Sequence, residues 1–165
     1  MAYGQLYKKT KSMTITPLED GTFRLEIPKW QIKIFKSLTQ ELNPIISERS
    51  NNLTSRLFPT AYQADTSANN EYELLTHKDL LQSHLDSLEA LDELSSNAEL
   101  FEETLIKIIQ GVNILRLVLG TRLGIDDDDD ANSSKANKDH PDHNLWLTFH
   151  LLGEIISIII DAISE

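Results

Sequence analysis

The segment Asn113-Ile-Leu-Arg116-Leu-Val-Leu-Gly-Thr-Arg122-Leu-Gly124 sets two arginines in a run that is otherwise almost wholly apolar. A guanidinium inside an apolar helix needs an anionic or carbonyl partner, because an unpaired buried charge is costly. Its planar fork suits bidentate pairing, which explains arginine rather than lysine. Arg116 and Arg122 are six residues apart, about 240° around a helix, so they serve different contacts. Arg116 falls in the helix interior. An earlier segment with Arg56, Tyr62, Asp65 and Glu71 offers it carboxylate partners in Asp65 and Glu71. Two readings stay open. One is a structural ion pair joining the two segments, the plainer of the two. The other is a site for an anion or a partner peptide.

Other candidates carry less. Asp139-His-Pro-Asp-His143, with His150 about two turns beyond, has metal-ligand residue types, but no second cluster completes a site. The run Asp126 to Asp130 lacks the alternating ligands, central glycine and closing glutamate of a calcium loop. It reads as a solvated tether, so no metal and no cofactor are expected. The chain has no Gly-x-Ser-x-Gly and no phosphate-binding glycine loop. It has no cysteine, which excludes thiol catalysis and disulfides within the chain. Catalytic residues are therefore expected to be absent, and the protein is not expected to be an enzyme.

Charge narrows the partners. The net charge is -11, split as +3 up to Arg49 and -14 beyond it. A surface at -14 repels phosphate backbones, so generic nucleic-acid binding is disfavoured. The basic N-terminal segment is the exception to watch: Lys29, Lys33 and Lys36 would need to cluster with Lys8, Lys9 and Lys11. The most apolar run, Leu151 to Ile163, is short for a bilayer and contains Glu154 and Asp161, so no membrane is expected. Met1 to Lys11 is polar and basic rather than a signal core, and a cytoplasmic protein is expected.

The elements that must position these residues are mainly helical. Ser12–Thr16 and Thr22–Ile27 alternate around Pro17-Leu-Glu-Asp-Gly21, a β-hairpin over 12–27. Pro28 suits the first position of a helix with Ile34, Leu38, Leu42 and Ile45 on one side, which Pro44 should break near Leu42. After a loop at 50–54, Arg56 to Tyr62 reads as packed but irregular. Asp65 or Ser67 can cap a short helix through Tyr72 and Leu75. Thr76-His-Lys-Asp79 has the spacing of a capping box that opens another, with Leu81, Leu85 and Leu88. Ser96-Asn-Ala-Glu99 is a second capping box, for a helix apolar nearly all round from Leu105 to Leu123 and so central. Gly124 gives a Schellman-type stop.

Residues 126–140 read as a flexible acidic loop and Pro141 as the start of a C-terminal helix over 141–165. There Trp146, Phe149, Gly153, Ile156, Ile160 and Ile163 form one stripe; Leu145, Leu152, Ile155 and Ile159 form the next. Leu151 and Ile158 lie outside both. Either this helix is central, or a protein partner covers the remainder, a homodimer through the C-terminal helix being the simplest case. The expected fold is one domain over 1–165, mainly α: an irregular helical bundle of about five helices with an N-terminal β-hairpin.

Arg56-Leu-Phe-Pro-Thr-Ala-Tyr62 with Asp65 and Glu71-Tyr72, followed by the Asn113 to Gly124 segment, an acidic loop and an aromatic C-terminal helix, resembles a known family. It is the actinobacterial domain-of-unknown-function family usually encoded beside a ClpS-type protease adaptor, and the likeness runs from about Arg24 to the C-terminus. Some members are described as oxidative-stress transcriptional regulators using a closely spaced cysteine pair. This chain has none, so that mechanism does not transfer, and Ile114 replaces the family's usual acid after the asparagine. The expected function is a non-enzymatic regulatory or adaptor-type protein acting through protein–protein contacts. The alternative is a stress-response transcriptional regulator contacting DNA through the basic N-terminal segment.

Overall fold

A computed structural model of the chain describes residues 12–48, 51–58, 66–125 and 134–165. The described residues form a three-stranded antiparallel sheet, four α-helices and one 3₁₀ helix, a mainly α fold with the expected hairpin. Strand β1 (Thr14–Pro17) pairs with β2 (Phe23–Glu26). Asp20 shapes the turn: its carboxylate accepts from the backbone N–H of Thr22 at 2.9 Å and from its hydroxyl at 2.6 Å. Those two bonds also hold the Asp20 carboxyl below its ordinary pKa. Gly21 takes φ 81°, a left-handed turn position where a side chain is strained.

Helix α1 (Lys29–Leu42) starts one residue after Pro28, which stands outside it as the cap, and ends before Pro44. The 3₁₀ helix Asn52–Leu57 follows, with the Asn51 side chain accepting from Leu53 N–H. Helix α2 (Thr66–Asp92) is continuous over 27 residues, where two helices are predicted. No glycine or proline lies between Tyr72 and Leu80. With nothing to stop the helix, its own carbonyls satisfy the amides that a cap at Thr76 would have served.

The second capping box is also overturned. Asn97–Leu100 is a strand, β3, paired with β2 in the register Arg24 to Glu99 and Leu25 to Ala98. Glu99 accepts from Arg24 Nη2 across the strands at 3.0 Å instead of reaching back to an amide. The capping signal is local, and the exposed edge of β2 outweighs it. Helix α3 (Glu102–Leu123) begins after Phe101, with Glu102 and Glu103 in its first turn, where the dipole favours acids. It ends as a Schellman motif: Gly124 has φ 66°, and Ile125 N–H reaches Gly120 O at 2.9 Å.

Residues 134–142 are turns, with Asn137, His140 and His143 N–H groups bonding back three residues each; the stretch 134–140 is therefore structured, where a flexible loop is predicted. Helix α4 (His143–Ser164) starts two residues beyond Pro141. Helix α3 is central. Leu105, Ile108, Val112 and Leu119 are buried with Leu25 of the sheet, Phe35 of α1, Leu88 and Leu91 of α2, and Leu152, Ile155 and Ile159 of α4. Each such side chain contributes about 1.5–3 kcal/mol of burial. The α2–α3 crossing is very close at Gly111, where a Cβ would lie 2.5 Å from the Ser87 carbonyl oxygen. Helices α3 and α4, 22 residues each, are long and apolar enough to cross a membrane by length and composition, a test that a bundle's core helix also passes. The short run Leu151 to Ile163 thus understates α4.

Candidate functional site

The two glycines of the α3–α4 contact fix where the motif side chains sit. A Cβ on Gly153 would lie 3.3 Å from Arg116 Nε; one on Gly120 would lie 3.3 Å from the Phe149 ring and 3.6 Å from Arg56 Nη1. Small residues on each helix thus make room for a large side chain from elsewhere. Arg116 uses that room to lay its guanidinium on Phe149, with Cζ 4.3 Å from the ring centroid. Such cation–π contacts are worth about 0.5–2 kcal/mol. Its Nε is buried without a hydrogen-bond partner.

Tyr62 and Asp65 lie outside the described residues, and Glu71 is exposed on α2. The described contacts of Arg116 are to an aromatic ring and a glycine, which suit a weakly hydrated, delocalised cation. Arg56 joins the earlier segment to the end of α3. Its Nη2 donates to the Ile125 carbonyl at 2.6 Å, just past the end of α3. Lys135 Nζ donates to the Leu123 carbonyl, and Lys135 O meets His143 Nδ1 at 2.9 Å. Arg122 pairs with Glu41 of α1. Three cations therefore gather at the negative end of the α3 dipole. Asn113 is exposed on α3.

Beside Arg116 runs a ladder of rings on α4. His143 stacks near Trp146 at 6.2 Å, Trp146 on His150 at 4.2 Å, and His150 meets Phe149 edge-on at 5.5 Å. Trp146 Nε1 and His150 Nε2 are buried without partners. With Arg116 Nε that makes three orphaned nitrogens in one seam, each costing about 1–3 kcal/mol. Burial pushes the His150 pKa below its ordinary 6.5; the Arg116 charge adds to this and Glu154 opposes it. His150 thus stays neutral in neutral solution. The i, i+4 spacing of Trp146 and His150 was the signal available in the sequence; it reads there as a metal-ligand or core pattern. Among the described residues no group of three or more His, Asp or Glu is placed to hold a metal ion.

Two surface features complete the site. A cleft lined by Leu38, Glu41, Leu42 and Ile45, with Leu115, Val118, Leu119 and Arg122 opposite, has a volume of about 20 Å³. That is room for about one water, far from a substrate pocket. The rim of the α3–α4 seam is apolar and open: Ile106 is 41% exposed and Ile160 47%. Exposure on α4 falls on the stripe read as core, whereas Leu151, read as facing a partner, is buried. The rule of one apolar stripe cannot tell which side a neighbour covers. On α1, Lys29, Lys33 and Lys36 share one exposed face; Lys8, Lys9 and Lys11 lie outside the described residues.

Residues 18–163 match the family model DUF2017, a domain of unknown function. No curated protein and no solved structure matches the chain.

Proposed function

The chain belongs to the DUF2017 family of unknown function, and from that premise we propose that it is a non-enzymatic regulatory or adaptor-type protein of the cytoplasm, acting through protein–protein contacts. The observation that carries this reading is the open apolar rim of the α3–α4 seam. Large apolar side chains grouped on one surface mark contact sites more often than isolated ones do. The water-facing surface is acidic, which keeps such a protein soluble and steers basic partners toward it.

A second copy of the chain is one partner to test. The face for it is now the Ile160 side of α4, not Leu151. The family's identity with the actinobacterial group encoded beside a ClpS-type adaptor belongs to the same proposal; the genes on either side of this one decide it. Capture from native lysate is the functional test, run with the wild type and with Ile160→Glu. Proteins retained by the wild type and lost with the variant support the reading. An identical set from both, with the variant still folded, refutes it.

The Lys29, Lys33 and Lys36 face favours one second reading, a DNA-contacting regulator. Titration of labelled duplex at about 0.15 M salt separates the two. Micromolar binding that weakens steeply with salt and is lost on replacing these lysines supports the regulator. We expect no such binding, because the charge beyond Arg49 is -14.

A further inference from the structure

Helices α3 and α4 run antiparallel in a fixed register. Arg116 meets Gly153 and Gly120 meets Phe149, four residues apart on each helix. Continued toward the start of α3, that register sets Ile109 opposite Ile160 and Ile106 one turn further on. Ile106 and Ile160 are exposed there, with Ile109, Ile156 and Ile163 half-buried between and beside them, and Phe101 is exposed just before the helix starts. Acids outnumber cations along the strip: Glu102 and Glu103 are exposed near Ile106, with Lys107 exposed beside them, and Glu154 and Asp161 run along the exposed side of α4.

We propose that this strip is the docking surface for a basic amphipathic segment of another protein, whose apolar anchors settle between Ile106 and Ile160 and whose lysines or arginines face the flanking acids. The proposal rests on the reading that the chain acts through protein contacts, and adds the chemistry of the partner. Burial of the strip alone would accept any apolar segment. Charge chooses among them. A second copy would bring one acid-bordered strip against another, because a two-fold interface uses the same patch on both subunits, and like charges brought together in an interface oppose association. An acidic helix meets the same repulsion. For a basic segment, apolar burial and charge attraction act together, as in helix-in-groove recognition.

The test uses the full chain and two synthetic helices with leucines at i, i+3, i+4 and i+7. One carries lysines at the remaining positions, the other glutamates. Fluorescence anisotropy should show the lysine helix binding at least about tenfold tighter and weakening as salt rises. Ile160→Ser and Ile106→Ser, each confirmed folded by its thermal melt, should weaken it about fivefold to tenfold, and Asp161→Asn should flatten the salt dependence. Equal binding of the two helices overturns the proposal. So does lysine-helix binding that ignores both isoleucine changes, which is attraction to an acidic protein and nothing more. A wild-type dimer by light scattering that Ile160→Ser converts to a monomer also overturns it, with a second copy as the occupant. If lysate proteins are lost with Ile160→Glu but retained by Asp161→Asn at raised and low salt alike, the partner chemistry fails while the contact function stands.

Discussion

Gly111→Ala tests the closest approach in the molecule. The added Cβ would sit 2.5 Å from the Ser87 carbonyl oxygen and 2.9 Å from two carbons of Leu91, where ordinary contact begins at about 3.4 Å. The carbonyl belongs to the α2 backbone and Leu91 is fully buried, so neither yields by a side-chain rotation. Relief requires α2 and α3 to part by close to an ångström along the contact that carries Leu88, Leu91 and Ile108. Overpacking of this kind costs about 1–3 kcal/mol, occasionally more. The better helix propensity of alanine returns about 0.8–1.0 kcal/mol. The net loss is up to about 2 kcal/mol, a Tm drop of up to about 8 °C for a chain of this size. Gly120→Ala is the control, since its Cβ meets only the Phe149 ring at 3.3 Å and Arg56 Nη1 at 3.6 Å, both on side chains that can shift. Thermal melts followed by far-UV circular dichroism decide it. A Gly111→Ala Tm equal to or above that of Gly120→Ala refutes the reasoning.

Three further outcomes are expected. Arg116→Met should change stability by less than about 1 kcal/mol, because methionine keeps a contact on Phe149 and removes a buried nitrogen that lacks a partner; a loss near 3 kcal/mol in urea unfolding would show a buried charge partner instead. Arg56→Ala should cost about 1–2 kcal/mol by stripping the Ile125 carbonyl of its donor, and a melt unchanged by it would show that water serves as well. Because the folded pKa of His150 is depressed, its contribution is present above the unfolded value near 6.5 and is lost as pH falls through the folded value; urea midpoints should drop less on acidification in His150→Gln than in the wild type, and parallel profiles would contradict this.

Signals carried within a few residues were legible in the sequence. Alternation around Asp20-Gly21 located the hairpin, Pro28 and Pro44 bounded α1, and Gly124 ended α3. What needed the third dimension was not. Strand β3 exists because β2 had an edge to fill, and the partners Arg24 and Glu99 are 75 residues apart. Thr76 carried the local pattern of a helix start, yet a helix already running through it made the pattern idle. The motif arginines were singled out by type and spacing, and among the described residues Arg56 reaches from one motif to the other. The contact that spans them ends on a backbone carbonyl, which no side-chain pattern announces. For α4 the apolar spacing marks two stripes but not the neighbour that chooses between them.

The pairing of β2 with β3 also sets a schedule for synthesis. Leu25 is fully buried in the folded chain and lies opposite Ala98. At about 5–20 residues per second, roughly 4–15 s separate the appearance of the two on a translating ribosome. Helix α3, which covers α1 and α2, emerges later still. Through that interval Leu25, Phe35 and Ile46 have no core to enter. The nascent chain presents an apolar sheet edge and an uncovered amphipathic helix to whatever binds such surfaces first.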